Sequence, residues 1–158
     1  MSKVGLISDT HGRLDAKVGA IFAGVERILH AGDVGDQAVL EELSLIAPVS
    51  AVRGNMDSWP LSETLPEEVL VEIGGLRILV GHILPDLLSH HDVVAEGIAV
   101  VATGHTHWAV IENRGSVLYV NPGTAGRTRV GRPRTVALLD IDDGRAQATI
   151  VALDEDVT

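Results

Sequence analysis

The stretch KVGLISDTH, Lys3 to His11, decides how this chain reads. Its apolar run is short and uninterrupted, the pattern of a strand buried on both faces. It stops at Asp9 and His11, two residue types that bind metals. The same ending recurs along the chain: ILHAGD closes on Asp33, AVRGN on Asn55, RILVGH on His82, and VVATGHTH on His105 and His107. In open α/β sheets, ligands collect outside the carboxyl ends of the strands. Oxygen and imidazole donors gathered there suit hard or borderline divalent metals. One Asp after a strand is equally a helix cap, and a lone His is equally a satisfied polar group. The recurrence is what favours a site. On extended segments, Asp-x-His and His-x-His would each put both side chains on one side, since strand side chains repeat every two residues.

Outward from that stretch, the first half alternates. Strands are expected at Val4–Ser8, Arg27–Ala31 and Val49–Val52, with helices at Leu14–Phe22 and Gln37–Ile46 between them. A β-α-β-α-β rhythm implies parallel pairing with helices packed on the sheet. The second half is richer in hairpins. Glu68–Ile73 and Leu76–Val80 flank Gly74-Gly75, Val110–Glu112 pairs with Val117–Val120, and Thr135–Ile141 pairs with Ala146–Leu153. A helical stretch near Leu84–Ala95 precedes a buried strand at Ile98–Thr103. Two sheets packed face to face with helices outside are expected, in one domain spanning 1–158.

Composition narrows the function. The formal charge of −10 opposes a long nucleic-acid track, which needs a basic surface. Aromatics make up only 3% of residues, so stacking platforms for single strands are scarce. The absence of cysteine removes disulfides, thiolate metal sites and thiol catalysis. The chain opens directly on a strand-like run without a charged leader, and no run approaches the ~20 apolar residues of a membrane span. The expectation is a cytoplasmic protein with no membrane partner.

The set Asp9-Thr10-His11, Gly32-Asp33-Val34-Gly35-Asp36, Gly54-Asn55, His82 and Gly104-His105-Thr106-His107 resembles the calcineurin-like metallophosphoesterases. Within them it is similar to the small bacterial and archaeal phosphodiesterase branch, as is the later Asn121-Pro122-Gly123-Thr124. The resemblance implies a four-layer α-β-β-α sandwich with mixed sheets, of the α/β class, and two divalent metals at the sheet edge. Asp9, His11 and His107 would bind the first metal, Asn55, His82 and His105 the second, and Asp33 would bridge them. Manganese leads the candidates, with iron, zinc and nickel compatible. The implied reaction is hydrolysis of a small phosphodiester by a bridging hydroxide, with Asp33, Asn55 and His82 as catalytic residues. A phosphomonoesterase with the same site is the alternative. A non-catalytic scaffold, the role of the retromer subunit that resembles this branch, is a further one. A homo-oligomer is compatible by family analogy.

The chemistry agrees with that map. Without metal, two carboxylates about 4 Å apart would repel by roughly 4 kcal/mol at an effective dielectric near 20. Two divalent cations reverse that repulsion and leave positive charge for a phosphate.

Two departures stand out. Many family members carry Gly-Asn-His-Glu, whereas this chain has Gly54-Asn55-Met56-Asp57, and Met cannot donate a proton to a leaving group. The branch usually continues His-Gly-His, whereas this chain has His82-Ile83-Leu84.

Of the remaining polar residues, Asp36 suits a helix N-cap, and His30 suits a satisfied core position that braces the site. Asp57 would either orient Asn55 or close a turn. His90 and His91 suit the solvated face of a helix. Arg53 precedes Gly54-Asn55 and is a substrate-binding candidate, as is Arg127. The latter belongs to a basic run with Arg129, Arg132 and Arg134 that would either grip phosphate or form an exposed loop. Trp59 and Trp108 would wall the cleft or pack in a core.

Overall fold

Alternation within single strands builds the layers. In β1 (Ser2–Ile7), Val4 and Leu6 join one apolar cluster while Ile7 joins another on the opposite face. In β2 (Arg27–His30), Leu29 and Ile28 divide in the same way. Side chains that alternate in this manner require apolar cover on both faces of the sheet. We describe residues 1–126 and 132–154 of the computed structural model.

One sheet runs in the order β10-β9-β1-β2-β3. There β1 pairs in parallel with β2, and β2 with β3 (Val49–Ala51). The antiparallel hairpin β9 (Thr135–Asp142) and β10 (Arg145–Ala152) extends the other edge. The second sheet runs β4-β5-β6-β8-β7. Its centre is parallel, β5 (Leu76–Gly81) to β6 (Ile98–Ala102) to β8 (Val117–Pro122). Antiparallel partners β4 (Glu68–Ile73) and β7 (Ala109–Arg114) flank it.

The sheets face each other across Val4, Leu6, Leu29, Ile78, Val80, Val100 and Leu139. Helices α1 (Val18–Ile21), α2 (Gln37–Ser44) and α3 (Leu61–Thr64) bring Val18, Val39, Leu43 and Leu61 to the outer face of the first sheet. Helix α4 (Leu84–Leu88) places Leu87 on the outer face of the second, against Leu79 and Val101. Each buried aliphatic side chain contributes about 1.5–3 kcal/mol. The result is the expected α-β-β-α sandwich with two mixed sheets and short helices.

Two helices are shorter than their sequence suggests. Leu14–Phe22 contains only α1, because Asp15 turns back to accept from the Lys17 N–H at 2.8 Å. This local bond competes with helix. Leu84–Ala95 contains only α4, because Ser89 bonds the Asp86 carbonyl at 2.6 Å and the chain then turns. Asp36 caps α2 as expected, accepting from the Ala38 N–H at 2.9 Å. No helix among the described residues is long and apolar enough to cross a membrane.

Candidate metal centre

Parallel strands β1, β2 and β3 of one sheet, and β5 and β6 of the other, deliver their carboxyl ends to one rim. None of the recurring Asp, Asn and His residues lies in a strand. Asp9 and His11 follow β1, Asp33 follows β2, Asn55 follows β3, His82 follows β5, and His105 and His107 follow β6. The expectation that period-two alternation aims the paired ligands is therefore overturned. Instead, Asp9, His11, Asp33, His105 and His107 all adopt left-handed backbone, with φ of 57°, 49°, 55°, 74° and 68°. Among the described non-glycine residues only Asp143 shares that conformation. Left-handed backbone costs about 1–2 kcal/mol per residue. Its concentration at one rim marks a place where the fold spends stability on aim.

Cross-links fix these turns. The Gly32 N–H donates to His30 Nδ1 at 3.1 Å, so His30 Nε2 carries the hydrogen and donates to Thr10 Oγ1 at 3.0 Å. Thr10 Oγ1 in turn donates to the Val34 carbonyl at 2.8 Å. His30 is fully buried, and burial, with repulsion from His82 and His11, pushes its pKa down to about 3. It stays neutral and keeps the relay's direction. Asp57 accepts from the backbone N–H groups of Val34, Gly35 and Gly54 at 3.2, 2.9 and 2.8 Å, tying the Asp33 turn to the Asn55 turn. Asn121 holds the His105 turn through the Gly104 carbonyl at 2.9 Å. Gly54 and Gly104 allow close approach to the two carboxylates. A Cβ on Gly54 would stand 2.1 Å from Asp33 Oδ1, and one on Gly104 would stand 2.7 Å from Asp9 Oδ2.

Two carboxylates stand at the middle. Asp9 Oδ2 accepts from Ser8 Oγ at 2.7 Å and from the His105 N–H at 3.1 Å. Asp33 Oδ1 accepts from the Met56 N–H at 2.8 Å. Their other oxygens face imidazoles. His107 Nε2 is 3.3 Å and His11 Nε2 3.9 Å from Asp9 Oδ1. His82 Nε2 is 3.2 Å from Asp33 Oδ2 and 4.0 Å from Asp9 Oδ1. On the far side, His105 Nδ1 is 3.1 Å from Asn55 Oδ1, and its ring meets that of His82 at 5.2 Å.

These residues fit a bound cation. Asp9 Oδ1, His11 Nε2 and His82 Nε2 are buried with no hydrogen-bond partner. Donors each about 2.1 Å from one metal stand roughly 3.0–3.4 Å apart, which matches the nearer separations here. His82 Nδ1 lies 2.7 Å from the Ala31 carbonyl, which only accepts, so the neutral ring turns its Nε2 lone pair inward. Burial pushes the Asp9 carboxyl up to about 6, against the Ser8 bond. Burial would raise Asp33 too, but His82, the Met56 N–H and His11 outweigh it and hold Asp33 below the usual carboxylate range. Burial likewise opposes charge on His82, and Asp33 overcomes it, raising the imidazole.

The calcineurin-like phosphoesterase superfamily domain matches residues 2–144. The chain belongs to that superfamily. It is 35% identical over 158 residues to a probable metallophosphoesterase of Methanothermobacter thermautotrophicus, covering 94% of this chain and 91% of the relative. It is 33% identical to the phosphodiesterase YfcE of Escherichia coli K12, covering 90% of this chain and 89% of that one. The solved structure of an archaeal phosphodiesterase superposes with a TM-score of 0.72 at 28% identity, covering 94% of this chain and 99% of that one. This chain is thus a metallophosphoesterase, with groups of imidazole and carboxylate at its sheet edge that could hold a metal ion.

Other sequence candidates fall in different places. Arg53 Nη1 donates to the Leu65 carbonyl at 2.9 Å and meets Glu67 at 3.8 Å, while lining a cavity of about 190 Å³ with Asn55 and His82. Arg127 and Arg129 lie outside the described residues. Arg134 grips Asp15 and Asp154, both at 2.8 Å. Arg132 bonds the Thr106 carbonyl at 3.0 Å and lies over the Trp108 ring at 5.0 Å. Met56 and Trp59 are exposed. Ile83, in the place of the missing Gly of the His-Gly-His pattern, is the N-cap residue before α4 and lines the cavity.

His90 and His91 are not on a helical face. Both follow α4, and their rings meet Glu68. The sequence held no sign of this, because Glu68 stands 22 and 23 residues away from them.

Proposed function

We propose that this chain hydrolyses small phosphodiesters at a dinuclear centre. Asp9, His11 and His107 hold one divalent cation, Asn55, His82 and His105 hold a second, and Asp33 reaches both. Manganese is the first candidate. The observation that carries the reading is that Asp9 Oδ1, His11 Nε2 and His82 Nε2 are buried at the rim without a hydrogen-bond partner, the two imidazoles 3.9 and 4.0 Å from that oxygen. Bound there, such cations acidify water for attack and neutralise phosphoryl oxygens.

The chain's own residues prepare that chemistry. Asp33, held ionised by its neighbours, is ready to coordinate without first losing a proton. His82 is fixed in the tautomer that offers Nε2. Asn55 and His82 share the cavity beside the centre, so an ester group that extends from the phosphorus meets Arg53 there. Met56 offers no proton, so leaving groups that depart as stable anions, or a water relay, suit this site. The diester preference follows the relatives named for that activity.

The test is turnover of bis-p-nitrophenyl phosphate beside p-nitrophenyl phosphate after chelation and return of manganese. Metal-dependent turnover favouring the diester is expected. Faster monoester turnover would replace this reading with a phosphatase.

A further inference from the structure

Outside that centre, a second meeting of imidazole and carboxylate lies at the start of β4. Glu68 presents its two oxygens to two neighbouring rings: His90 Nε2 at 2.9 Å from Oε2, and His91 Nε2 at 2.8 Å from Oε1. One donor atom from each of the three residues falls within 4.8 Å of the others. The other ring nitrogens are engaged. His91 Nδ1 lies 2.8 Å from Glu96 Oε1, and His90 Nδ1 lies 3.3 Å from Ser89 Oγ. A carboxylate behind the distal nitrogen is the arrangement that orients metal-bound imidazoles and raises their basicity.

We propose that Glu68, His90 and His91 form a third divalent-cation site, with Glu96 positioning His91. Two imidazoles and one carboxylate are the donor set of three-ligand zinc sites, which leave a fourth position open. Zinc therefore fits better than magnesium or calcium, which take oxygen donors. The exposure of the three side chains agrees with an open position: His91 is 17% exposed, Glu68 31% and His90 52%. An ion pair this open contributes less than the rotamer entropy of the side chains it orders. A cation supplies the missing driving force.

The site's place gives it a consequence. Glu68 and His90 line the same cavity as Asn55, His82 and Arg53, together with Glu67 and Asp86. Three carboxylates against one guanidinium repel an anionic ester. A cation on Glu68 offsets that charge at the mouth of the site.

Native mass spectrometry of the full chain with zinc tests this. Glu68→Gln/His91→Gln should bind one zinc fewer than the wild type, and Asp33→Asn should keep that ion. Equal zinc counts in the wild type and the double variant would overturn the site. Glu96→Gln should weaken the same ion by about 10–100-fold, as removal of such a partner does. Should the double variant not fold, the wild type still decides. Zinc should slow diethyl pyrocarbonate labelling of His90 severalfold, read by peptide mass, and an unchanged rate overturns the proposal. None of these readouts depends on turnover, so they stand apart from the fate of the phosphodiesterase reading.

Discussion

Among the described residues, carboxylates meet imidazoles at two places, and they do so in opposite ways. At the sheet edge, Asp9 and Asp33 are buried, their turns are in left-handed backbone, and His11 Nε2 and His82 Nε2 face them without hydrogen bonds. At Glu68, the surroundings are open and both carboxylate oxygens bond to rings. The inner group is poorly satisfied by side chains alone and is held by backbone cross-links. The outer group is satisfied whenever its rings carry protons. Backbone holds a site that must stay in place without its cation. Side-chain pairing suffices where a proton can stand in.

That contrast breaks most sharply at Asp33. Asp33→Asn keeps the shape and the Met56 contact but removes the charge shared between the two halves. Metal occupancy and turnover should fall by more than about a hundredfold, beyond the 10–100-fold typical of residues one step removed from the metal. Circular dichroism should show an intact fold. Full turnover in that variant would sink the bridging assignment.

Metal removal comes next. In chelated protein the Asp9 carboxyl titrates at about 6, against an ordinary value of 3.8. The folded state thus holds its proton more tightly than the unfolded state does. The stabilisation is complete below 3.8 and is lost as pH rises through about 6, a change of about 3 kcal/mol from Asp9 alone. Urea unfolding of chelated protein across that window, wild type against Asp9→Asn, should show the slope in the first and not the second. Returning metal should abolish it, because ligation removes the proton.

Asp57→Ala tests whether backbone cross-links hold the inner site. It strips an acceptor from three N–H groups on two turns. Unsatisfied groups of this kind cost about 1–3 kcal/mol. We expect a fall in thermal midpoint and a loss of metal affinity of about 10–100-fold. An unchanged metal affinity would move the holding role elsewhere.

Most of the architecture was legible, because buried strands announce themselves in apolar runs such as Val4–Ile7 and Ile98–Ala102, and Gly74-Gly75 marks its hairpin. The helices were less legible. Asp15 and Ser89 make local bonds that end Leu14–Phe22 and Leu84–Ala95 early, and such competition leaves no periodic trace. At the site, the residues that meet at the rim stood out by their position after strands. The manner of their aim did not, since left-handed backbone at Asp9, His11, Asp33, His105 and His107 follows from the cross-links of His30, Asp57 and Asn121. The Glu68 cluster was invisible, because it joins β4 to the turn after α4.

The outer group sharpens the comparison with the smallest effect. Glu68 first, and then Glu96, raise the His91 imidazole above its ordinary 6.5, against a small opposing effect of burial. Its contribution to stability is therefore fully present below 6.5 and fades as pH rises through the folded value. The sign matches that of Asp9, but the window lies higher. The size is also smaller, on the order of a few tenths of a kcal/mol, because the pair is open to solvent and salt. In chelated protein, His91→Gln should flatten a slight loss of thermal midpoint between neutral and alkaline pH, and salt at about 1 M should flatten it in the wild type. The buried Asp9 slope should survive that salt, since buried charges are screened far less. If salt erased both slopes alike, the two places would not differ in the way their burial implies.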